Sequence, residues 1–176
     1  PVMKIVESRT KQGEYLSNVD ALANYVTRNI RYKKSKDFIE MADIIRTFSG
    51  DDRSHAIFLA SLFSESQIDF RIDVVEEKTK SGRGYHYRML VRTTKSEEEV
   101  RKIVVKRIRK RRSGMFGTKA KVWYIQDGEF RWYVIDTTGQ TIKQKEAFAD
   151  TSWIFIGASH KYYANRSHYS FDISLD

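Results

Sequence analysis

Residues Gly50–Ile72 read GDDRSHAIFLASLFSESQIDFRI, and the fold is decided there. Gly50 marks a tight turn. Asp51 and Asp52 stand where a helix N-cap belongs, because a carboxylate at that place accepts unpaired backbone N–H groups and complements the helix dipole. Ala56, Leu59, Ala60, Leu62 and Phe63 then recur at helical spacing, and Ile57 and Phe58 widen the apolar face until little of it meets water. The spacing predicts a buried helix. After Ser64–Gln67, the residues Ile68, Phe70, Ile72 and Val74 alternate with Asp69, Arg71 and Asp73, the period of a strand covered on one side.

Upstream, Ser17 and Asp20 stand three apart like a capping box, and Val19, Leu22, Val26 and Ile30 form the stripe of a helix. A polar connection, Lys33–Lys36, leads to a second amphipathic helix carrying Phe38, Met41, Ile44, Ile45 and Phe48. Downstream, KTKSGRG over Lys78–Gly84 reads as a loop. Tyr85–Thr93 reads as a strand with Tyr85, Tyr87, Met89 and Val91 on one face and His86, Arg88, Leu90 and Arg92 on the other. Ser96 followed by three glutamates signals a helix start, and the helix over Glu97–Arg111 has a thin apolar stripe of Val100, Ile103, Val104 and Ile108. Asp127-Gly128 between Lys121–Gln126 and Glu129–Asp136 predicts a hairpin with a type I′ turn. A short helix around Gln144–Phe148 and strands near Trp153–Ile156 and His168–Ile173 close the chain. The expectation is an α+β fold, N-terminal helices packed on an antiparallel sheet, in a single domain over residues 1–176.

Composition narrows the chemistry. The chain has no Cys, which excludes disulfides, thiolate catalysis and cysteine-bound zinc. No apolar run is long enough to cross a membrane, and PVMKIVESRT lacks the apolar core of a signal peptide, so the expected location is intracellular, away from membranes. The net charge of +9 is local. Ten basic residues and no acidic one lie between Arg101 and Lys121; removing them from 32 leaves 22 basic against 23 acidic. One segment makes the protein basic.

The Gly50–Ile72 stretch resembles the core of the transglutaminase-like superfamily, whose pattern is roughly GDCxDxA, an apolar helix, then GIPxRV on a strand. Gly50-Asp51, Ala56, Leu59-Ala60, Leu62, Ile68 and Arg71 match without a gap, and Asn29-Ile30-Arg31-Tyr32 resembles the NIRY ending an earlier helix. The family's histidine opens a strand of the type HxWVEV, where His86 of GYHYRMLV falls. Its aspartate ends a strand of the type GxWxxxDPT, where Asp136 of GEFRWYVIDTT falls, with Thr137 in place of Pro. The family's cysteine falls on Asp52. The resemblance covers about residues 17–139 and implies a papain-like layout; the basic segment, about residues 94–121, then lies between the histidine and aspartate positions as an insertion.

An active member would use a thiolate at the helix N-terminus, a histidine as base and an aspartate to orient the imidazole. Here the resemblance implies the trio Asp52, His86 and Asp136. A carboxylate is a poor nucleophile toward an amide and holds no proton for the histidine to remove. The expected site is therefore a degenerate triad without catalysis or cofactor, Asp52 capping its helix and pairing with His86. Two sharper alternatives stand beside it: the trio as a two-carboxylate, one-histidine metal site, or Ser54 as a replacement nucleophile. His55 reads as a helix-surface or packing residue rather than a base. His160 and His168 have no ligand spacing.

A charge run is commonly a solvated helix face. This one has an arginine-rich centre, and guanidinium presents the paired donors that phosphate accepts. It ends in the Gly-punctuated loop SGMFGT over Ser113–Thr118, bearing Phe116, and an aromatic hairpin follows. Basic surface beside exposed aromatics suits phosphate neutralisation with base stacking. The expected nucleic-acid contacts are Arg101, Lys102, Lys106, Arg107, Arg109, Lys110, Arg111, Arg112, Phe116, Lys119 and Lys121, while Trp123, Trp132 and Tyr133 read as core. The resemblance adds a precedent: excision-repair proteins related to peptide N-glycanases carry a transglutaminase-like domain without catalytic residues and bind DNA. The expected partner is DNA or RNA. An acidic protein docking on the basic arm, or an amidase or transamidase with a different nucleophile, are the rival readings.

Overall fold

The structure is a computed structural model that describes residues 1–79, 82–111, 119–138 and 168–174. Its architecture is α+β. In chain order the elements are α1 (Val2–Arg9), α2 (Tyr15–Asn29), β1 (Arg31–Tyr32), α3 (Met41–Thr47), β2 (Ser49–Gly50), α4 (Asp52–Glu65), β3 (Phe70–Thr79), β4 (Gly82–Thr93), α5 (Glu97–Arg111), β5 (Lys119–Asp127), β6 (Phe130–Ile135) and β7 (His168–Ser174). The sheet runs β3-β4-β6-β5-β7 with every neighbour antiparallel, and β1 and β2 form a separate parallel pair. Among the described residues no helix is long and apolar enough to cross a membrane.

Helix α4 is central. Asp51 is its cap: one carboxylate oxygen accepts both the backbone N–H and the hydroxyl of Ser54, each at 2.8 Å. Ala56, Phe58, Leu59, Leu62 and Phe63 are buried, in contact with α1, α2 and α3 on one side and with β3 and β4 on the other. Each large apolar side chain buried this way contributes about 1.5–3 kcal/mol. The turn before the helix leaves no room for a side chain: a Cβ on Gly50 would lie 2.3 Å from Ser54 Cβ. Because Ser54 is locked into the cap, it cannot move aside. Gly50→Ala is expected to cost about 1–3 kcal/mol as overpacking, read as a lower urea midpoint; an unchanged midpoint would show that the cap yields.

The helix-facing side of the sheet carries Met89, Val91, Val122, Tyr124, Tyr133, Ile135, Phe171 and Ile173, merged with the apolar stripes of the helices in one core. The opposite face has a smaller cluster of Leu90, Trp123, Trp132 and Val134. Trp123, Trp132 and Tyr133 are thus interior residues, and the guanidinium of Arg71 lies 3.9 Å from the Trp132 ring centroid.

Several sequence expectations are corrected. Helix α2 starts at Tyr15, before the Ser17–Asp20 box, because Tyr15 is anchored by its hydroxyl to the Arg92 carbonyl at 2.6 Å. The expected Lys78–Gly84 loop is mostly hairpin, since β3 and β4 stay paired to Thr79–Gly82. At the other hairpin Asp127 pairs with Phe130, so Gly128 opens the two-residue loop with φ +58° while Glu129 stays at negative φ. That pattern fits a type II′ turn; type I′ needs positive φ at both positions. Ile72 and Val74 are 41% exposed, because α4 lies over β4 more than over the edge strand β3. The expected elements at Gln144–Phe148 and Trp153–Ile156 lie outside the described residues.

Candidate functional site

The start of α4, the middle of β4 and the residue after β6 converge on one imidazole. Asp52 is the first residue of α4; its Oδ2 accepts the Tyr87 N–H at 2.9 Å and faces His86 Nδ1 at 3.3 Å. Asp136 follows β6, with Oδ2 at 2.5 Å from His86 Nε2. Its other oxygen accepts the N–H and hydroxyl of Thr138 at 2.9 and 2.6 Å. His86 and Asp136 are buried. The structure therefore brings Asp52, His86 and Asp136 together. The helix cap is Asp51, not Asp52, which leaves the Asp52 carboxylate turned toward the strand.

Charge decides what this trio can do. Burial pushes the His86 pKa down, but the Asp136 and Asp52 carboxylates outweigh it and raise it to about 10. Burial pushes Asp136 up, yet the adjacent imidazolium and the Thr138 donors hold it below the usual carboxylate range. Asp52 is likewise lowered: burial is outweighed by His86 and by the Tyr87 N–H. At neutral pH the arrangement is an imidazolium clamped between two carboxylates. In that state both ring nitrogens carry protons, so the imidazole donates to each carboxylate and has no lone pair to accept a proton.

Other placements bear on the alternatives. A cavity of about 10 Å³ abuts the trio, lined by Asp52, His55, Arg88, Asp136 and Thr137 among others; that is room for about one water. A metal ion would need an imidazole lone pair, and each nitrogen faces a carboxylate instead. Among the described residues no group of three His, Cys, Asp or Glu is arranged to hold a metal. Ser54 is corrected as a nucleophile, since its hydroxyl is buried against Asp51.

Two further buried polar groups stand beside the trio. His55 is 2% exposed, with Nδ1 at 3.0 Å from the Thr137 hydroxyl and Nε2 without a hydrogen-bond partner among the described residues. Burial lowers its pKa to about 4 despite the nearby carboxylates, so it is neutral. Arg88 is fully buried and donates to Asp73, its cross-strand neighbour, at 2.6 Å. A register between β3 and β4 would have paired those two residues; the overlong loop assignment hid it.

The basic segment divides. Ser96 and Glu99 form the reciprocal capping box of α5, Ser96 N–H donating to Glu99 at 2.9 Å. Val100 and Val104 are buried. Lys102, Lys106 and Arg109 are exposed. Arg101 is half-buried, its guanidinium 4.8 Å from the Phe171 ring centroid. Arg107 is half-buried and forms an ion pair with both carboxylate oxygens of Asp20 on α2, which ties the two helices. Lys110 and Arg111 lie in the last turn of α5, Lys119 and Lys121 on β5, while Arg112 and Phe116 lie outside the described residues.

No family model and no curated protein matches this chain. Among solved structures, a candidate cysteine protease from Cytophaga hutchinsonii aligns with a TM-score of 0.46 and 14% identity. The alignment covers 99% of this chain and 48% of that one, so this chain spans about half of its length.

Proposed function

We propose that this chain is a catalytically silent domain of transglutaminase-like, papain-like layout that binds nucleic acid through α5. Silence follows from the site's chemistry: a carboxylate stands at the helix start where a thiolate would act, and the imidazole that should accept a proton is already an imidazolium. An amidase or transamidase assay is expected to give the same background for wild type and His86→Ala; turnover abolished by that substitution would restore the enzyme reading.

The observation that carries the binding reading is the orientation of α5. Val100 and Val104 of its apolar stripe are buried in the core while Lys102, Lys106 and Arg109 stay in solvent, so these cations are not consumed by packing. Phosphate contacts of this kind release counterions, each steepening the dependence of log affinity on log salt by roughly 0.7–0.9. Filter binding of a labelled oligonucleotide across a salt series is the test. Neutralising Arg109, Lys110, Arg111 and Arg112 together is expected to flatten the slope by up to about 2.8–3.6. Unchanged affinity and slope would end the nucleic-acid reading.

A further inference from the structure

We infer that the backbone of a single-stranded nucleic acid passes through the cleft between the α1–α2 turn and α5, gripped by Arg9 and Lys11 on one wall and Lys106 on the other. This rests on α5 being a nucleic-acid-binding helix and extends the surface to residues that are remote in sequence. The cleft has a volume of about 210 Å³. Two carboxylates also line it, but Asp20 is already neutralised by Arg107 on both oxygens. Three cations are then left facing the single carboxylate of Glu14.

The cleft is built rather than incidental. Asn18 fixes the turn by accepting the Lys11 N–H and donating to the Lys11 carbonyl, both at 2.8 Å. Gly13 supplies the positive φ of +77° that closes it. The floor is stapled by the Arg107–Asp20 ion pair, and Arg9 lies with its guanidinium 5.5 Å from the Tyr25 ring centroid. Arg9, Lys11 and Lys106 are all exposed, so these fixed elements hold cations in solvent. On α5 Lys102, Lys106 and Arg109 stand four and three residues apart, on one side of the helix, and continue the basic track beyond the cleft. A concave slot walled on two sides admits one strand's backbone, whereas a duplex would rest on its rims.

Fluorescence anisotropy with a fluorescein-labelled single-stranded thymidine oligonucleotide, and with a duplex of equal length, tests this over a potassium chloride series. The expected result is tighter binding of the single strand, and a salt slope shallower by about 1.4 in the double variant Arg9→Gln/Lys11→Gln, at roughly 0.7 per lost contact. The control Lys33→Gln/Lys34→Gln removes the same charge from exposed lysines outside the cleft and should leave the slope at the wild-type value. An unchanged slope in the cleft variant, alongside a flattened one after neutralising Arg109–Arg112, overturns the cleft and leaves α5 as the binding helix. Equal losses in the cleft and control variants, or tighter binding of the duplex, also overturn it. No binding by wild type removes both readings at once.

Discussion

Urea unfolding of this chain at a series of pH values is expected to show a stability maximum near pH 6.5, falling on both sides for reasons that reside in two different histidines. His86 has its folded pKa raised from 6.5 to about 10. Between those values the folded state holds a proton that the unfolded state has released, so stability is fully present below pH 6.5 and is lost as pH rises toward 10. His55 runs the opposite way. Its folded pKa is lowered from 6.5 to about 4, so the unfolded chain binds the extra proton in that window and stability is lost as pH falls. The lowered Asp52 and Asp136 steepen the acid limb, since their contribution is present above 3.8 and disappears as pH falls further.

The limbs separate by substitution. His55→Gln is expected to flatten the descent from pH 6.5 toward 4 while leaving the alkaline limb. His86→Ala is expected to remove the alkaline limb and to lower stability at pH 6.5 by up to about 3–5 kcal/mol, because it strands the buried Asp136 carboxylate and leaves the half-buried Asp52 without its counter-charge. A wild-type curve that is flat from pH 6.5 to 10 would mean that the His86 imidazole is neutral in the folded chain, and the argument for a blocked base would fail with it.

The sites that were legible in the sequence were those where a short-range rule acts alone. The spacing of Ala56, Leu59, Leu62 and Phe63 prescribes a buried helix, and Ser96 with Glu99 prescribes a helix start; both stand as read. The convergence of Asp52, His86 and Asp136 was legible only through family resemblance, since no local spacing links residues on a helix, a strand and a strand end. Misreadings arose where two rules compete for one residue. Asp20 has the spacing of a cap partner, but its carboxylate is taken by Arg107 from another helix. Gly and Ser in Lys78–Gly84 favour a loop, but continuing the ladder of β3 against β4 leaves only two residues between the strands. Ile72 and Val74 obey strand alternation, yet they stand on an edge strand that α4 largely misses. His55 is buried beside Thr137, and the contact that places it spans 82 positions.

Asp52→Cys should turn the charge at this site into a chemical reporter. The substituted thiol would occupy the first position of α4, inside the helix dipole, and stand opposite an imidazolium now held at 3.3 Å from the carboxylate. Both influences favour thiolate, which places its pKa within about 3.5–7.5, against about 8.5 for an unperturbed cysteine. Iodoacetamide alkylation is therefore expected to hold its rate down to the lowered pKa of this thiol, whereas a thiol introduced by Lys34→Cys, on exposed surface, slows about tenfold per pH unit below about 8. Because the parent chain has no cysteine, every alkylated thiol reports the introduced position. Adding His86→Ala to Asp52→Cys should return the pKa several units toward 8.5, which assigns the shift to the imidazolium rather than to the helix alone. An ordinary pKa in Asp52→Cys would show that position 52 does not share a field with His86, and the reading of this carboxylate as the occupant of a nucleophile's seat would be lost.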